Sequence, residues 1–146
     1  MDYSLFEYVK KRNGVSMGSP RSLRNNLYRS LGAKNFSTFW NYWNPIFGYY
    51  LGKFIFKPLK KFLPVSLSIL LTFTFCGLLH DFVTTALRGN ISIFFTPWFL
   101  VMGIAVLLTT ALKLNFSNQI WITRAIINLG FIIACFSLTI LIFRTF

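Results

Sequence analysis

The sequence predicts an all-α integral membrane protein with about three transmembrane helices, preceded by amphipathic helices that lie on the membrane interface or re-enter it. Two observations support this prediction. The 146 residues are 55% hydrophobic and 19% aromatic, which is more apolar than an ordinary soluble domain. The formal charge is +12, and 11 of the 15 Lys and Arg residues lie within residues 1–61, before the long apolar runs. This arrangement favours membrane lipid with anionic headgroups, or an anionic cofactor, as the partner and argues against nucleic acid.

The chain divides into two parts. Residues 1–61 form a basic, aromatic segment that is cytoplasmic or interfacial, and residues 62–146 form the transmembrane domain. The spans are expected at about 62–87, 94–112 and 121–143, each close to the roughly 20 helical residues that cross a bilayer. Because positive residues favour the cytoplasmic side, the N-terminus is expected inside and, after three crossings, the C-terminus outside.

The second span has the clearest start signal. It contains no charged residue, and Thr96 is expected to be its N-cap with Pro97 at the first helical position. A hydroxyl at the N-cap accepts a hydrogen bond from the first turn, and proline needs no backbone donor there. These two residues therefore predict that the helix begins at Pro97.

Residues 18–33, GSPRSLRNNLYRSLGA, have the pattern of an amphipathic helix. Ser19 is expected as the N-cap, Pro20 in the first turn and Gly32 at the end. Three leucines lie four residues apart, with arginines off that line: Leu23, Leu27 and Leu31 against Arg21, Arg24 and Arg29. Such a helix lies at the level of the lipid headgroups or packs its leucines on a neighbouring chain, and the sequence leaves both open.

Residues 37–61, STFWNYWNPIFGYYLGKFIFKPLKK, form what is called the aromatic-basic segment below. Pro45 and Pro58 divide it into a short helix or turn at 38–44 and a second helix at 46–57. One face of the second helix carries residues spaced four apart: Tyr49, Lys53 and Lys57. An interfacial belt of aromatic rings, with lysines reaching the headgroups, accounts for most of this composition. It accounts less well for the asparagines, because a buried amide needs hydrogen-bond partners.

The first apolar run contains the only histidine of the chain, His80, directly followed by Asp81. Ionisable groups at membrane depth have a high free-energy cost and are interpreted as functional unless a structural role explains them. Helical spacing places the histidine in a polar row: Thr72, Cys76, His80 and Thr84. The next side chain points about 100° away, so His80 and Asp81 do not pair within one helix turn. Asp81 is expected to meet Thr85, Arg88 or a partner helix.

The order and spacing of these motifs resemble the membrane-bound O-acyltransferase (MBOAT) family. FWNYWN at 39–44 and CGLLHD at 76–81 follow the order of the family, in which a Trp- and Asn-containing segment and a basic helix precede the helix with the family histidine. The resemblance covers about residues 36–90. It implies a chamber built from more than three spans, so this chain is expected to work as a homo-oligomer or with a partner membrane subunit.

The resemblance also implies roles for individual residues. His80 is expected to be the general base that takes the proton of an acceptor hydroxyl. Asn44 is expected to orient the acyl group or the base, or to donate a hydrogen bond to the thioester oxygen. The donor, acyl-CoA, is expected to bind five residues of the aromatic-basic segment: Tyr49, Lys53, Lys57, Lys60 and Lys61. No metal ion is expected to take part.

Two classes of function therefore stay open, with a third that is less favoured. The first is an integral membrane O-acyltransferase core, an enzyme that transfers an acyl group from acyl-CoA to a hydroxyl of a lipid, glycan or protein. The alternative is a non-catalytic membrane scaffold or subunit that binds anionic lipid and a partner membrane protein. A proton pathway through His80 and Asp81 is less favoured, because the other spans have almost no ionisable partners. Catalysis requires Asn44 and His80 to face one cavity, whereas a scaffold requires His80 only as a packed hydrogen-bond partner.

Overall fold

The structure, a computed structural model, describes residues 3–91 and 93–145, and the elements that it assigns within them are helical. This confirms the predicted all-α class. In chain order the elements are α1 (Leu5–Asn13), α2 (Ser22–Leu31), α3 (Phe36–Tyr42), α4 (Pro45–Leu51), a π turn (Gly52–Phe56), α5 (Lys57–Leu59), α6 (Val65–Arg88), α7 (Phe95–Ala111) and α8 (Trp121–Thr145).

Two helices in the described part of the chain are long and apolar enough to cross a membrane. They are α6, with a mean hydropathy of 1.6, and α8, with 2.5 over Trp121–Arg144. The second predicted span, 94–112, corresponds to α7, which has 17 residues and is therefore about 25 Å long. The start of α6 differs from the prediction at position 62, because Pro64 holds the chain extended and the helix begins after it.

The two predicted N-caps are wrong. Helix α2 begins at Ser22, because residues 19–22 form a turn in which the Ser22 N–H donates to the Ser19 carbonyl at 2.9 Å. The Ser19 hydroxyl accepts from Arg21 N–H, at 3.3 Å, and not from an N–H group within α2 as a cap would. Helix α7 begins at Phe95, so Thr96 lies inside its first turn. The cap of α7 comes from another helix, as described below.

The aromatic-basic segment is helical on both sides of Pro45, which occupies the first position of α4 as its fixed φ allows. The helix predicted at 46–57 is interrupted by the π turn, in which the Lys57 N–H donates to the Gly52 carbonyl. Pro58 does not end the helix as predicted but lies within α5. A π turn shifts the hydrogen-bond pattern by one residue just before Pro58, a position that lacks a donor of its own.

Helices α2 and α3 are fastened to α8 by long-range contacts. The Asn128 side-chain amide is buried and donates to the Leu31 and Ala33 carbonyls at 2.9 and 3.0 Å. Trp121 Nε1 donates to the Tyr28 carbonyl at 2.9 Å, and the two rings stack at 5.3 Å. A buried amide needs such partners, so the asparagine inside the third span holds the α2–α3 turn in place.

Buried residues of the described chain form two clusters, one between α6, α7 and α8 around Met102 and one where α3 meets α7 and α8. Phe36 and Phe39 are fully buried there and pack with Val106, and the Phe36 ring stacks on Phe131 at 5.1 Å. The leucine line of α2 is divided: Leu31 packs against this core, whereas Leu23 is 72% exposed. Both alternatives for α2, contact with headgroups or with a neighbouring chain, require this exposure.

Candidate functional site

His80 projects from the middle of α6 and is exposed rather than enclosed. Its Nδ1 lies 2.8 Å from the Cys76 carbonyl oxygen, one turn earlier. A carbonyl oxygen only accepts, so Nδ1 carries the hydrogen and the lone pair of the neutral ring lies on Nε2. The ring stacks on Phe99 at 4.9 Å and lies 5.5 Å from Phe95. The histidine is therefore held in one tautomer and orientation by its own helix and by α7.

Asp81 is buried, and its carboxylate caps α7. Oδ1 accepts from the Phe94 and Phe95 N–H groups at 2.9 and 2.8 Å, and Oδ2 accepts from Thr96 N–H at 2.8 Å and from its hydroxyl at 2.6 Å. These are orphan donors of a helix N-terminus, where negative charge is also favoured by the helix dipole. Of the alternatives predicted for Asp81, contact with a partner helix is confirmed, and that helix is α7 of the same chain.

A glycine allows α6 and α7 to come this close. A Cβ on Gly77 would lie 2.6 Å from the Phe95 carbonyl oxygen and from the Thr96 Cα. Both neighbours are backbone atoms, which cannot rotate away as a flexible side chain can. Gly77 and Asp81 are four residues apart on one face of α6, and together they fix the first turn of α7 beside His80.

A cavity of about 1010 Å³ lies between the N-terminal helices and α6. Asn44 and His80, 36 residues apart in the chain, both line it. Four of the five residues predicted to bind the donor also line it: Tyr49, Lys53, Lys57 and Lys60. Lys61 does not line it and lies in the turn after α5, where its N–H donates to the Pro58 carbonyl at 3.1 Å. The structure thus brings both candidate catalytic residues and most of the candidate cationic residues to one cavity.

Asn44 has a structural role in this position. It is the N-cap of α4 with a left-handed φ of 40°, a conformation that asparagine tolerates better than most residues. Its Oδ1 accepts from the Phe47 N–H at 3.3 Å. Because the acceptor end of the amide is used by the cap, the donor end remains for a ligand in the cavity.

One wall of the cavity was not predicted from the sequence. Helix α1 and the residues before it contribute Tyr3, Ser4, Glu7, Tyr8 and Arg12. The sequence signal for α1 is the Ser4-x-x-Glu7 spacing of a capping box. In the structure the Glu7 carboxylate accepts from Ser4 N–H at 2.9 Å and the Ser4 hydroxyl accepts from Glu7 N–H at 3.4 Å. The Glu7 carboxylate accepts hydrogen bonds from the Ser4 backbone N–H, which has the larger effect, and from the Ser4 hydroxyl. Both lower the pKa of Glu7 below its ordinary value.

The cavity offers hydrogen-bond donors, cations and an imidazole. Within residues 3–91 and 93–145 no three His, Cys, Asp or Glu side chains cluster as metal ligands. Cys76 and Cys135 are buried free thiols. The chemistry that this arrangement supports is proton transfer by the imidazole and binding of an anionic ligand by the lysines.

Two membrane-capable helices and a large cavity, lined by apolar and aromatic residues together with cationic ones, define a class: helical membrane proteins with a cavity between their helices. The family model of MBOAT, the membrane-bound O-acyltransferase family, matches residues 14–143, and the chain belongs to this family. The resemblance predicted from residues 36–90 is thereby confirmed, and the match extends through α8. No curated protein and no solved structure matches the chain. Helix α1 lies ahead of the matched residues.

Proposed function

We propose that this protein is an acyltransferase core that transfers an acyl group from acyl-CoA to a hydroxyl of a lipid, glycan or protein. Membership of the membrane-bound O-acyltransferase family supports acyl transfer in general. The observation that carries the proposal for this chain is that Asn44 and His80 line one cavity together with Lys53, Lys57 and Lys60. The convergence of two motif residues from separate segments on one cavity supports a shared role.

In the proposed reaction, His80 Nε2 takes the proton from the acceptor hydroxyl as its oxygen attacks the thioester carbonyl. A carbon–oxygen bond forms, the carbon–sulfur bond of the thioester breaks, and the proton passes from His80 to the departing CoA thiolate. The hydrogen bond from Nδ1 to the Cys76 carbonyl, 2.8 Å long, supports this role because it leaves Nε2 as the basic nitrogen. It also stabilises the imidazolium that forms when the ring takes up the proton.

Asn44 and the lysines have complementary parts in this proposal. The Asn44 Nδ2 group donates a hydrogen bond to the thioester oxygen as negative charge develops on it. The lysines attract the phosphates of the donor, and Tyr49 orients one of them, since Lys53 Nζ lies 5.6 Å from the Tyr49 ring centroid. The acyl-CoA donor would enter from the basic side of the chain, which we propose is cytoplasmic, with the C-terminus on the other side.

The alternative function, a non-catalytic membrane subunit, is favoured by one observation. The hydrogen bonds of both key side chains are local: His80 bonds within its own helix and Asn44 caps its own helix. Local bonds of this kind are sufficient for a packing role. The two functions differ in what the loss of His80 does, so one variant distinguishes them.

The first experiment measures CoA release from acyl-CoA of several chain lengths by detergent-purified protein, with a panel of hydroxyl acceptors. We expect His80→Ala to lower the rate about 10²–10⁴-fold while thermal stability and oligomeric state stay as in the wild type. The matched control is Thr84→Val, which changes the same polar row of α6 at a position that does not line the cavity. An assembled His80→Ala protein with unchanged rate refutes the catalytic role. An inactive wild type together with a mutant that dissociates supports the subunit function.

The lysines are tested by a second comparison. Replacing Lys53, Lys57 and Lys60 together by Gln should raise KM for acyl-CoA more than it lowers kcat, because the charges attract the donor and do not act in the chemical step. Lys61→Gln is the matched control, since this lysine belongs to the same segment but does not line the cavity. An unchanged KM at low salt contradicts the role of the three lysines.

We also propose that the chain works as a homo-oligomer or with a partner membrane subunit. His80 is exposed on a membrane-capable helix, and a polar ring at that depth needs protein or water around it, not lipid. The mass of the detergent-solubilised particle, measured by light scattering, tests this. A monomer that is fully active in acyl transfer contradicts the proposal.

A further inference from the structure

The cavity wall formed by α1 lies outside residues 14–143, which the family model matches. We propose that Arg12 of α1 binds a phosphate group of the CoA donor, in the cavity that the lysines of the aromatic-basic segment also line. This inference rests on the proposed function, because it takes acyl-CoA as the ligand. It adds a phosphate-binding residue, Arg12, that lies ahead of the residues matched by the family model.

The surroundings of Arg12 favour binding of an anionic ligand. This arginine lines the cavity, is partly buried, and its guanidinium carbon lies 5.2 Å from the Tyr8 ring centroid. Its Nε is enclosed and has no hydrogen-bond partner. A buried donor without a partner destabilises the protein unless a ligand or a rearrangement satisfies it. A bidentate contact to a phosphate from Nε and one terminal nitrogen, a geometry in which arginine binds phosphate, would give this donor its partner.

The wall that carries Arg12 is fixed to the rest of the site. Asn13, the last residue of α1, is buried and donates to the Ser22 hydroxyl at 2.8 Å, which joins α1 to α2. Tyr8 contacts Tyr49 edge to face at 5.5 Å, which joins α1 to α4. Arg12 therefore sits on a packed element, and its distance from the lysines is set by the fold.

The charges of the cavity point to a ligand with more than one phosphate. Arg12 comes from α1, Lys53 from the π turn, and Lys57 and Lys60 from α5 and the residue after it. Cations from separate elements around one cavity repel one another, and a polyanion placed between them removes that repulsion. The only carboxylate among the described lining residues is Glu7, whose Oε2 already accepts two hydrogen bonds from Ser4. CoA has a pyrophosphate and a separate phosphate, which suits cations that come from separate elements around one cavity.

The test is binding of CoA to the full-length, detergent-solubilised protein by isothermal titration calorimetry, which needs no acceptor and no turnover. We expect Arg12→Gln to weaken CoA binding about tenfold, as loss of one charged phosphate contact does. Binding of acyl-pantetheine, which lacks the nucleotide phosphates, should not change. Arg21→Gln is the matched control, because Arg21 is an exposed arginine of the same basic half that does not line the cavity.

A second measurement uses the wild-type protein alone and so does not depend on the folding of a variant. Saturating CoA should protect Arg12, but not Arg21, from an arginine-specific dicarbonyl reagent, as read by peptide mass spectrometry. Equal modification of Arg12 with and without CoA, or equal CoA affinity in Arg12→Gln and wild type, overturns the inference and leaves the proposed function standing. A wild type that binds no CoA in calorimetry overturns both.

Discussion

Replacing Asp81 by Asn tests whether this carboxylate is the element that holds α6 and α7 together. The two side chains have nearly the same shape, so the change is almost purely electronic. The Oδ1 side can keep its hydrogen bonds to the Phe94 and Phe95 N–H groups. In the wild type, Oδ2 accepts from the Thr96 N–H and hydroxyl at 2.8 and 2.6 Å. In the variant an NH₂ group, which only donates, replaces this oxygen. The hydroxyl can turn and accept, but the Thr96 N–H then faces another donor.

The expected loss of stability follows from these four contacts. Leaving the Thr96 N–H unsatisfied costs about 1–3 kcal/mol, and the remaining bonds lose the strengthening that an ionised acceptor gives them. Removing a buried charge recovers part of this, because Asp81 had to be desolvated. We therefore expect a net destabilisation of about 2–4 kcal/mol, which corresponds to roughly 6–16 °C in Tm for a chain of this length.

The assay uses the two buried thiols of the chain. Cys76 and Cys135 are 7% and 5% exposed, so a thiol-reactive fluorogenic dye reports unfolding as they become accessible. Thr96→Val is the matched control, because it removes the hydroxyl contact only and should lower Tm by a smaller amount, about 1 kcal/mol in free energy. A Tm difference of about 2 °C is the smallest that the assay resolves. If Asp81→Asn melts within that difference of the wild type, the carboxylate does not hold the two helices together.

Three further outcomes are expected. Asn44→Asp should keep the helix cap and Tm but lower kcat for acyl transfer about 10²-fold, because aspartate accepts as asparagine does and cannot donate to the thioester oxygen; an unchanged kcat contradicts the donor role. Gly77→Ala should lower Tm by more than 6 °C, roughly the effect of 2 kcal/mol, because its Cβ would lie 2.6 Å from the Phe95 carbonyl oxygen; a stable, active variant would mean that the helices separate easily. The lowered pKa of Glu7 means that its ionised form stabilises α1 above the ordinary carboxyl value of 4.5 and that this stabilisation is lost as pH falls through the lower folded-state pKa. Amide exchange of Leu5–Asn13, corrected for intrinsic rates, should therefore rise on acidification in the wild type and not in Glu7→Gln.

The sequence predicted those features that depend on neighbours along the chain. The long apolar runs gave α6 and α8, and Pro45 gave the start of α4. The cap of α7 could not be predicted in this way, because its acceptor, Asp81, lies 13 to 15 residues earlier in another helix. Thr96 has the residue type of an N-cap, yet the Asp81 carboxylate accepts four hydrogen bonds at the start of α7, and the helix begins at Phe95, two residues before the predicted Pro97. Tertiary contact decided this helix start over local preference.

The candidate site was predicted only in part, because some of its residues belong to local motifs and others are brought there by tertiary contacts. Asn44 and His80 belong to recognisable motifs, and the structure places both on one cavity. The wall formed by α1 was missed, although Ser4 and Glu7 have the spacing of a capping box. A capping box predicts that a helix begins, but it does not say which surface the helix covers. That depends on contacts such as Tyr8 with Tyr49, which join residues 41 positions apart.

The environment of Asp81 also bears on the proton pathway that the sequence left open. Adjacent ionisable residues in an apolar helix favour proton transfer only if each can release and take up a proton. All four contacts of Asp81 come from donors, two on each oxygen, so a proton on the carboxyl would have to displace one of them. That exchange would open the start of α7, which contacts His80 through Phe95 and Phe99. In our proposal the two neighbours therefore have separate tasks: Asp81 fixes the helices as the cap of α7, and His80 exchanges protons with a ligand in the cavity.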